Sequence, residues 1–163
     1  MFVTKLIGLL LALSFSMSLA IADTHLPDEN TLIKRFESLG LVKADKWKNA
    51  EAPDSTAIKS ARVGSDVYSI ADDSVTVFSL ISEKNTDAEA QHVVDVCLKL
   101  AEVAMQNVTV DASNKIKGLI QQSALNLNEG SDLVDGYNFT TQYLSIGNVP
   151  ALACMVEGFV TWN

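Results

Sequence analysis

The chain has 163 residues, 48% of them hydrophobic, and carries a formal net charge of −8 with 20 acidic against 12 basic residues. That is enough length for one domain with its own core. Its acidic balance excludes the broad basic footprint by which a protein binds nucleic acid or anionic lipid, and it favours a basic partner.

The first 22 residues read as a secretory leader. Lys5 supplies a positive start, Leu6 to Ala20 is uncharged and apolar, and Ala20-Ile21-Ala22 has small residues where a signal peptidase cuts. The apolar run is short for a membrane span of about 20 residues. We therefore expect cleavage before Asp23, a secreted or periplasmic product and no membrane span in it. Within that product the charge is uneven. Residues 34–62 hold seven bases against four acids, and residues 63–163 hold four bases against thirteen acids.

Residues 23–30 are polar, contain Pro27 and read as a flexible arm. Asp28 or Asn30 can cap a helix in which Leu32, Ile33, Phe36 and Leu39 recur at three- and four-residue steps, and Gly40 suits its end. Lys43, Lys46 and Lys48 surround Trp47, which is expected to cover the edge of the core. Pro53-Asp54-Ser55 marks a turn.

Three strands are expected next. The first, around Ile58 to Val63, ends at the turn Gly64-Ser65. Asp66-Val67-Tyr68-Ser69-Ile70 alternates like a half-exposed strand. After the turn Ala71-Asp72-Asp73-Ser74, Val75 to Ile81 is apolar on both parities, which predicts a central strand covered on both faces.

Thr86-Asp87-Ala88-Glu89 forms a T-x-x-E capping box that opens a helix running to about Gln106. Val93, Val96, Cys97, Leu100 and Ala104 make its main stripe. A second helix, capped by Asp111, would bury Ile116, Leu119, Ile120, Ala124 and Leu127. Asn128-Glu129-Gly130-Ser131 is expected to end it and to open a loop reaching Asp135. Tyr137 to Ser145 alternates cleanly, and Ala151 to Val160 closes the chain with a bulge at Glu157-Gly158 and Trp162 over an end of the sheet.

Strands and helices in separate blocks predict an α+β fold of order α-βββ-αα-ββ. A mainly antiparallel sheet of about five strands would carry two or three helices on one face. Residues 31–163 form the single globular domain. Cys97 and Cys154, the two cysteines, are expected to join in a disulfide between the long helix and the last strand.

Chemistry-bearing motifs are few. His92 lies between Glu89 and Asp95 on a helical face, where three-residue steps converge poorly on one ion, so the sequence assigns no metal, no cofactor and no catalytic residue. The sequence carries no Gly-x-Ser-x-Gly elbow, phosphate-binding glycine loop or His-Glu-x-x-His. Asn107-Val108-Thr109 and Asn138-Phe139-Thr140 fit the glycosylation acceptor pattern.

The expected function is that of an exported acidic binding module, for example an inhibitor or immunity-type protein of a basic secreted enzyme. Its contact residues would be Asp72 and Asp73 in one turn and Glu129, Asp132 and Asp135 in another loop, since rigid folds present binding residues on loops. The alternatives are a hydrolase of envelope polymers using carboxylates such as Asp72, Asp135 and Glu157, and a chaperone-like envelope component pairing through an exposed edge at Tyr137–Ser145.

Overall fold

The computed structural model describes residues 23–52, 54, 56–82 and 86–160. The expected leader at 1–22 and the expected position of Trp162 lie outside them. Among the described residues three α-helices and seven strands follow in the order α1 (Glu29–Ser38), β1 (Lys48–Glu51), β2 (Ala57–Val63), β3 (Asp66–Ile70), β4 (Ser74–Leu80), α2 (Asp87–Met105), α3 (Val110–Asn126), β5 (Glu129–Val134), β6 (Tyr137–Ile146) and β7 (Val149–Glu157). The fold is α+β, with one antiparallel sheet ordered β1-β2-β3-β4-β7-β6-β5.

The sheet has seven strands, not five. The two that sequence patterning missed, β1 and β5, are its two edges. An edge strand needs a partner on one side only and tolerates polar residues. Lys48-Asn49-Ala50-Glu51 and Glu129-Gly130-Ser131-Asp132 therefore lack the apolar alternation that reveals an inner strand.

Local signals place the helices. Asp28 accepts from the Thr31 amide at the start of α1, and Gly40 beyond its end has φ +68°. The capping box of α2 is complete: Thr86 accepts from the Glu89 amide and the Glu89 side chain from the Thr86 amide. At α3 the cap is Thr109, which accepts from the Ala112 amide, and Asp111 instead sits inside the first turn.

One register line across the sheet organises the packing. Ala61, Tyr68, Val77, Cys154, Thr141 and Gly130 lie opposite one another in succession across β2, β3, β4, β7, β6 and β5. Each helix is fixed to this line. Phe36 of α1 meets Tyr68 edge-on, with ring centroids 5.6 Å apart. Cys97 of α2 is bonded to Cys154, with sulfurs 2.10 Å and Cα atoms 5.7 Å apart. Ser123 of α3 donates to the Thr141 carbonyl at 3.1 Å. All three helices thus cover the same face. Between them and the sheet lie Leu32, Phe36, Val75, Val77, Leu100, Ile116, Phe139, Leu152 and Val156, all essentially inaccessible.

β4 is the middle strand, as its apolar run predicts. The helices cover only its Val75 and Val77 side. Thr76, Phe78 and Leu80 point to the other face, together with Ala151, Ala153 and Met155 of β7.

The segment before α1 is held rather than free. Thr24 bridges Phe159, and its hydroxyl donates to the Gly136 carbonyl. β7 stops at Glu157, one residue short of the expected Glu157-Gly158 bulge pair. Gly158 instead lies under Thr24, where a Cβ would meet the Thr24 carbonyl oxygen at 2.6 Å.

Candidate functional site

The strand register decides which of the expected contact residues come together. Asp72 and Asp73 occupy the β3–β4 turn. At that end of the sheet Ser74, Glu157, Asn138 and Leu133 lie in one line across β4, β7, β6 and β5. The turn carrying Asp135 lies just beyond. The Gly158 amide donates to the Asp73 carbonyl, and Thr24 links Gly136 to Phe159, so the two turns share one rim.

Asp72 also lines a cavity of about 720 Å³ whose other walls include Glu29, Glu51, Ile58 and Lys59. Lys59 lies 3.7 Å from Glu29 and hydrogen-bonds Asn49 at 2.5 Å. The carboxyl groups here outnumber this cation, so the cavity favours a positively charged guest.

The remaining candidates have structural duties or lie elsewhere. Asp135 has φ +48° and accepts from the Thr109 amide and hydroxyl, bracing the start of α3. Asp132 pairs with Lys115 of α3 at 2.9 Å, and hydrogen bonds from Lys115 and the Leu133 amide hold its carboxyl below the usual range. Glu129 sits at the far end of β5 from that rim, level with Gln142 in the middle of β6. The expected loop Asn128–Asp135 is therefore mostly edge strand β5. Glu157 accepts from Asn138 at 3.0 Å, which engages it separately from Asp72 and Asp135. Within the β6 stretch Tyr137–Ser145, Asn138–Gln142 are paired on both sides by β5 and β7, and Tyr143–Ser145 extend past β5 with β7 as their paired strand.

The acceptor patterns fall on engaged residues too. Thr109 caps α3, and Asn138 donates to Glu157.

Patterning missed a buried polar cluster around Asp66. In β3 the buried set is Asp66, Tyr68 and Ile70. Ser79 donates to Asp66 at 2.5 Å, and Tyr68 lies 3.4 Å away. His92 of α2 places Nε2 3.0 and 3.2 Å from the two carboxyl oxygens. The side chain of Asp66 is 6% exposed and that of His92 49%. Burial, and then the neighbouring Asp66, push the Tyr68 phenol well above its ordinary range. His92 is thus turned to β3 rather than to Glu89 and Asp95, its neighbours along the helix. The available signal was an acid on the same parity as Tyr68 and Ile70.

This cluster borders a cavity of about 520 Å³ lined by Arg62, Ser65, Ser82, Glu89 and His92 among others. Ser79 spends its proton on Asp66 and is fully buried, so it is not placed as a nucleophile for His92. The arrangement satisfies a buried carboxyl group and ties the start of α2 to β3 and β4.

Among the described residues no helix is long and apolar enough to cross a membrane, and no group of three His, Cys, Asp or Glu side chains is placed to hold a metal ion. Comparison of the chain with protein-family models, with curated proteins and with solved structures finds no match.

Proposed function

We propose that the protein is an exported acidic binding module that engages a basic protein through one end of its sheet. An inhibitor or immunity-type partner of a basic secreted enzyme is the concrete form of this reading. The observation that carries it is that Asp72 lines one cavity with Glu29 and Glu51, with Asp73 next to it in a turn that shares a rim with the β5–β6 turn. Asp135 belongs to that rim but is committed to Thr109. The contact set is accordingly Asp72, Asp73, Glu29 and Glu51. Turns held by hydrogen bonds to a sheet present charge with little ordering cost on binding. The disulfide across the core supports an oxidising compartment.

The test uses immobilised protein against the exported proteins of its host at low and high ionic strength. A captured basic protein is then titrated against the parent and against Asp72→Asn with Asp73→Asn. The expected result is binding that weakens steeply with salt and at least ten-fold in the double variant. Absence of any salt-sensitive partner, or a partner indifferent to both substitutions, overturns the reading.

A further inference from the structure

β4 and β7 are apolar on both parities, yet the helices cover one face only. On the open face Phe78 and Leu80 of β4 stand beside Ala153 and Ala151 of β7. A shallow cavity of about 140 Å³ opens there, floored by Ala153 and walled by Phe78, Met155, Thr76, Thr140 and Gln142. Large and small apolar residues thus sit side by side across the centre of the sheet.

Two register lines show how this face is patterned. The first runs Arg62, Val67, Phe78, Ala153, Gln142, Glu129 across β2, β3, β4, β7, β6 and β5. The second, one step along, runs Ser60, Ser69, Thr76, Met155, Thr140, Ser131 in the same strands. A twofold axis parallel to the strands, between β4 and β7, lays each line over itself in reverse. Phe78 then lies over Ala153, Val67 over Gln142 and Arg62 over Glu129. In the neighbouring line Thr76 meets Met155, and serine and threonine meet their own kind. Leu80 over Ala151 repeats the large-on-small match at the other side.

We propose that this open face binds a second copy of the same chain, sheet against sheet, about that axis. Each contact occurs twice, as an isologous interface requires. Aligned sheets pack with strands within about 30° of each other, an offset that long side chains at the flanks can span. One charge pair agrees with this occupant. The chain carries −8 overall, but its open face is balanced, with Lys48 in β1 and Arg62 in β2 against Glu129 in β5 and Glu157 in β7, and the axis sets Arg62 over Glu129. Arg62 is exposed and donates Nε to the Gly64 carbonyl at 3.3 Å, a surface contact it can exchange for Glu129 of the second copy.

The experiment is sedimentation velocity over a concentration series, with circular dichroism confirming the fold of each variant. The parent should dimerise. Arg62→Glu or Glu129→Arg alone places two like-charge pairs across the axis and should raise the dissociation constant roughly ten-fold or more. A mixture of the two single variants forms a fully complementary heterodimer, and the double variant R62E/E129R restores the homodimer. Within one chain these residues lie in strands separated by four others, so rescue reads contact between copies alone. Ala153→Glu should abolish pairing. A parent that stays monomeric, or a dimer indifferent to these substitutions, overturns the proposal whether or not the acidic rim binds a basic partner.

Discussion

Asp66 and His92 are 26 positions apart in the chain, yet an imidazole nitrogen of one lies 3.0 Å from a carboxyl oxygen of the other. The contact closes a polar cluster inside an apolar layer, with Ser79 and Tyr68 as its other members. Asp66→Ala would leave the buried Ser79 hydroxyl without its acceptor. Unsatisfied buried groups cost about 1–3 kcal/mol each, so a loss of about 2–4 kcal/mol is expected in urea unfolding. Asp66→Asn keeps the shape and an acceptor, and should cost about half as much. Equal effects from the two variants would show that the cluster is not held by its hydrogen bonds.

The disulfide closes a loop with a sequence separation of 57 between helix α2 and strand β7. The chain-entropy model gives about 4 kcal/mol for a loop of this size. Replacing both cysteines by alanine should lower stability by roughly that amount and the melting temperature by on the order of 10 °C. The far-ultraviolet spectrum of the folded state should persist, because both sulfurs sit in an apolar layer that alanine can still occupy.

Gly130 and Ser123 test the seat of α3. A Cβ on Gly130 would come 3.1 Å from the Ser123 Oγ, which itself holds the Thr141 carbonyl. Gly130→Ala should destabilise by about 1–2 kcal/mol through this crowding. Ser123→Ala alone should cost about 1 kcal/mol through the lost hydrogen bond. The double variant should cost less than the sum, since the crowding atom is gone. Strict additivity in denaturant melts would place the strain elsewhere.

Glu89 governs an acid response at the start of α2. Hydrogen bonds from the Ser82 side chain and the Thr86 main chain lower its pKa from 4.5 to about 2. A carboxyl depressed in the folded state stabilises the fold above its unfolded value, and this is lost as pH falls from 4.5 towards 2. The amide signals of Thr86 and Ser82 should therefore shift near pH 2 in an NMR titration, not near 4.5. Glu89→Gln should remove that titration while leaving the later turns of α2 protected from exchange. A midpoint near 4.5 in the parent would contradict the reciprocal cap.

The helices were legible because their determinants are local. The capping box at Thr86 and Glu89, the cap at Asp28 and the glycine after α1 act within a turn of one another. Inner strands β3, β4, β6 and β7 were legible because burial demands alternation or a continuous apolar run. The edge strands were not, since one solvated side removes that demand. The pattern around Asp72 and Asp73 marks a turn that the structure has, whereas Glu129 and Asp132, expected in a loop, pair as β5.

What the sequence by itself determined was the α+β class, the capping box that starts α2, the central position of β4 and the pairing of Cys97 with Cys154. Each follows from short-range periodicity, from capping chemistry or from there being two cysteines. By contrast, α3 is capped by Thr109 rather than Asp111 and leaves Ala124 and Leu127 exposed. The tertiary structure decided the rest. It set β7 between β4 and β6, brought the two turns onto one rim, buried Asp66 against His92 and left one face of the sheet uncovered. Those outcomes depend on strand register, and register is fixed by contacts between residues far apart in the chain, which no local pattern encodes.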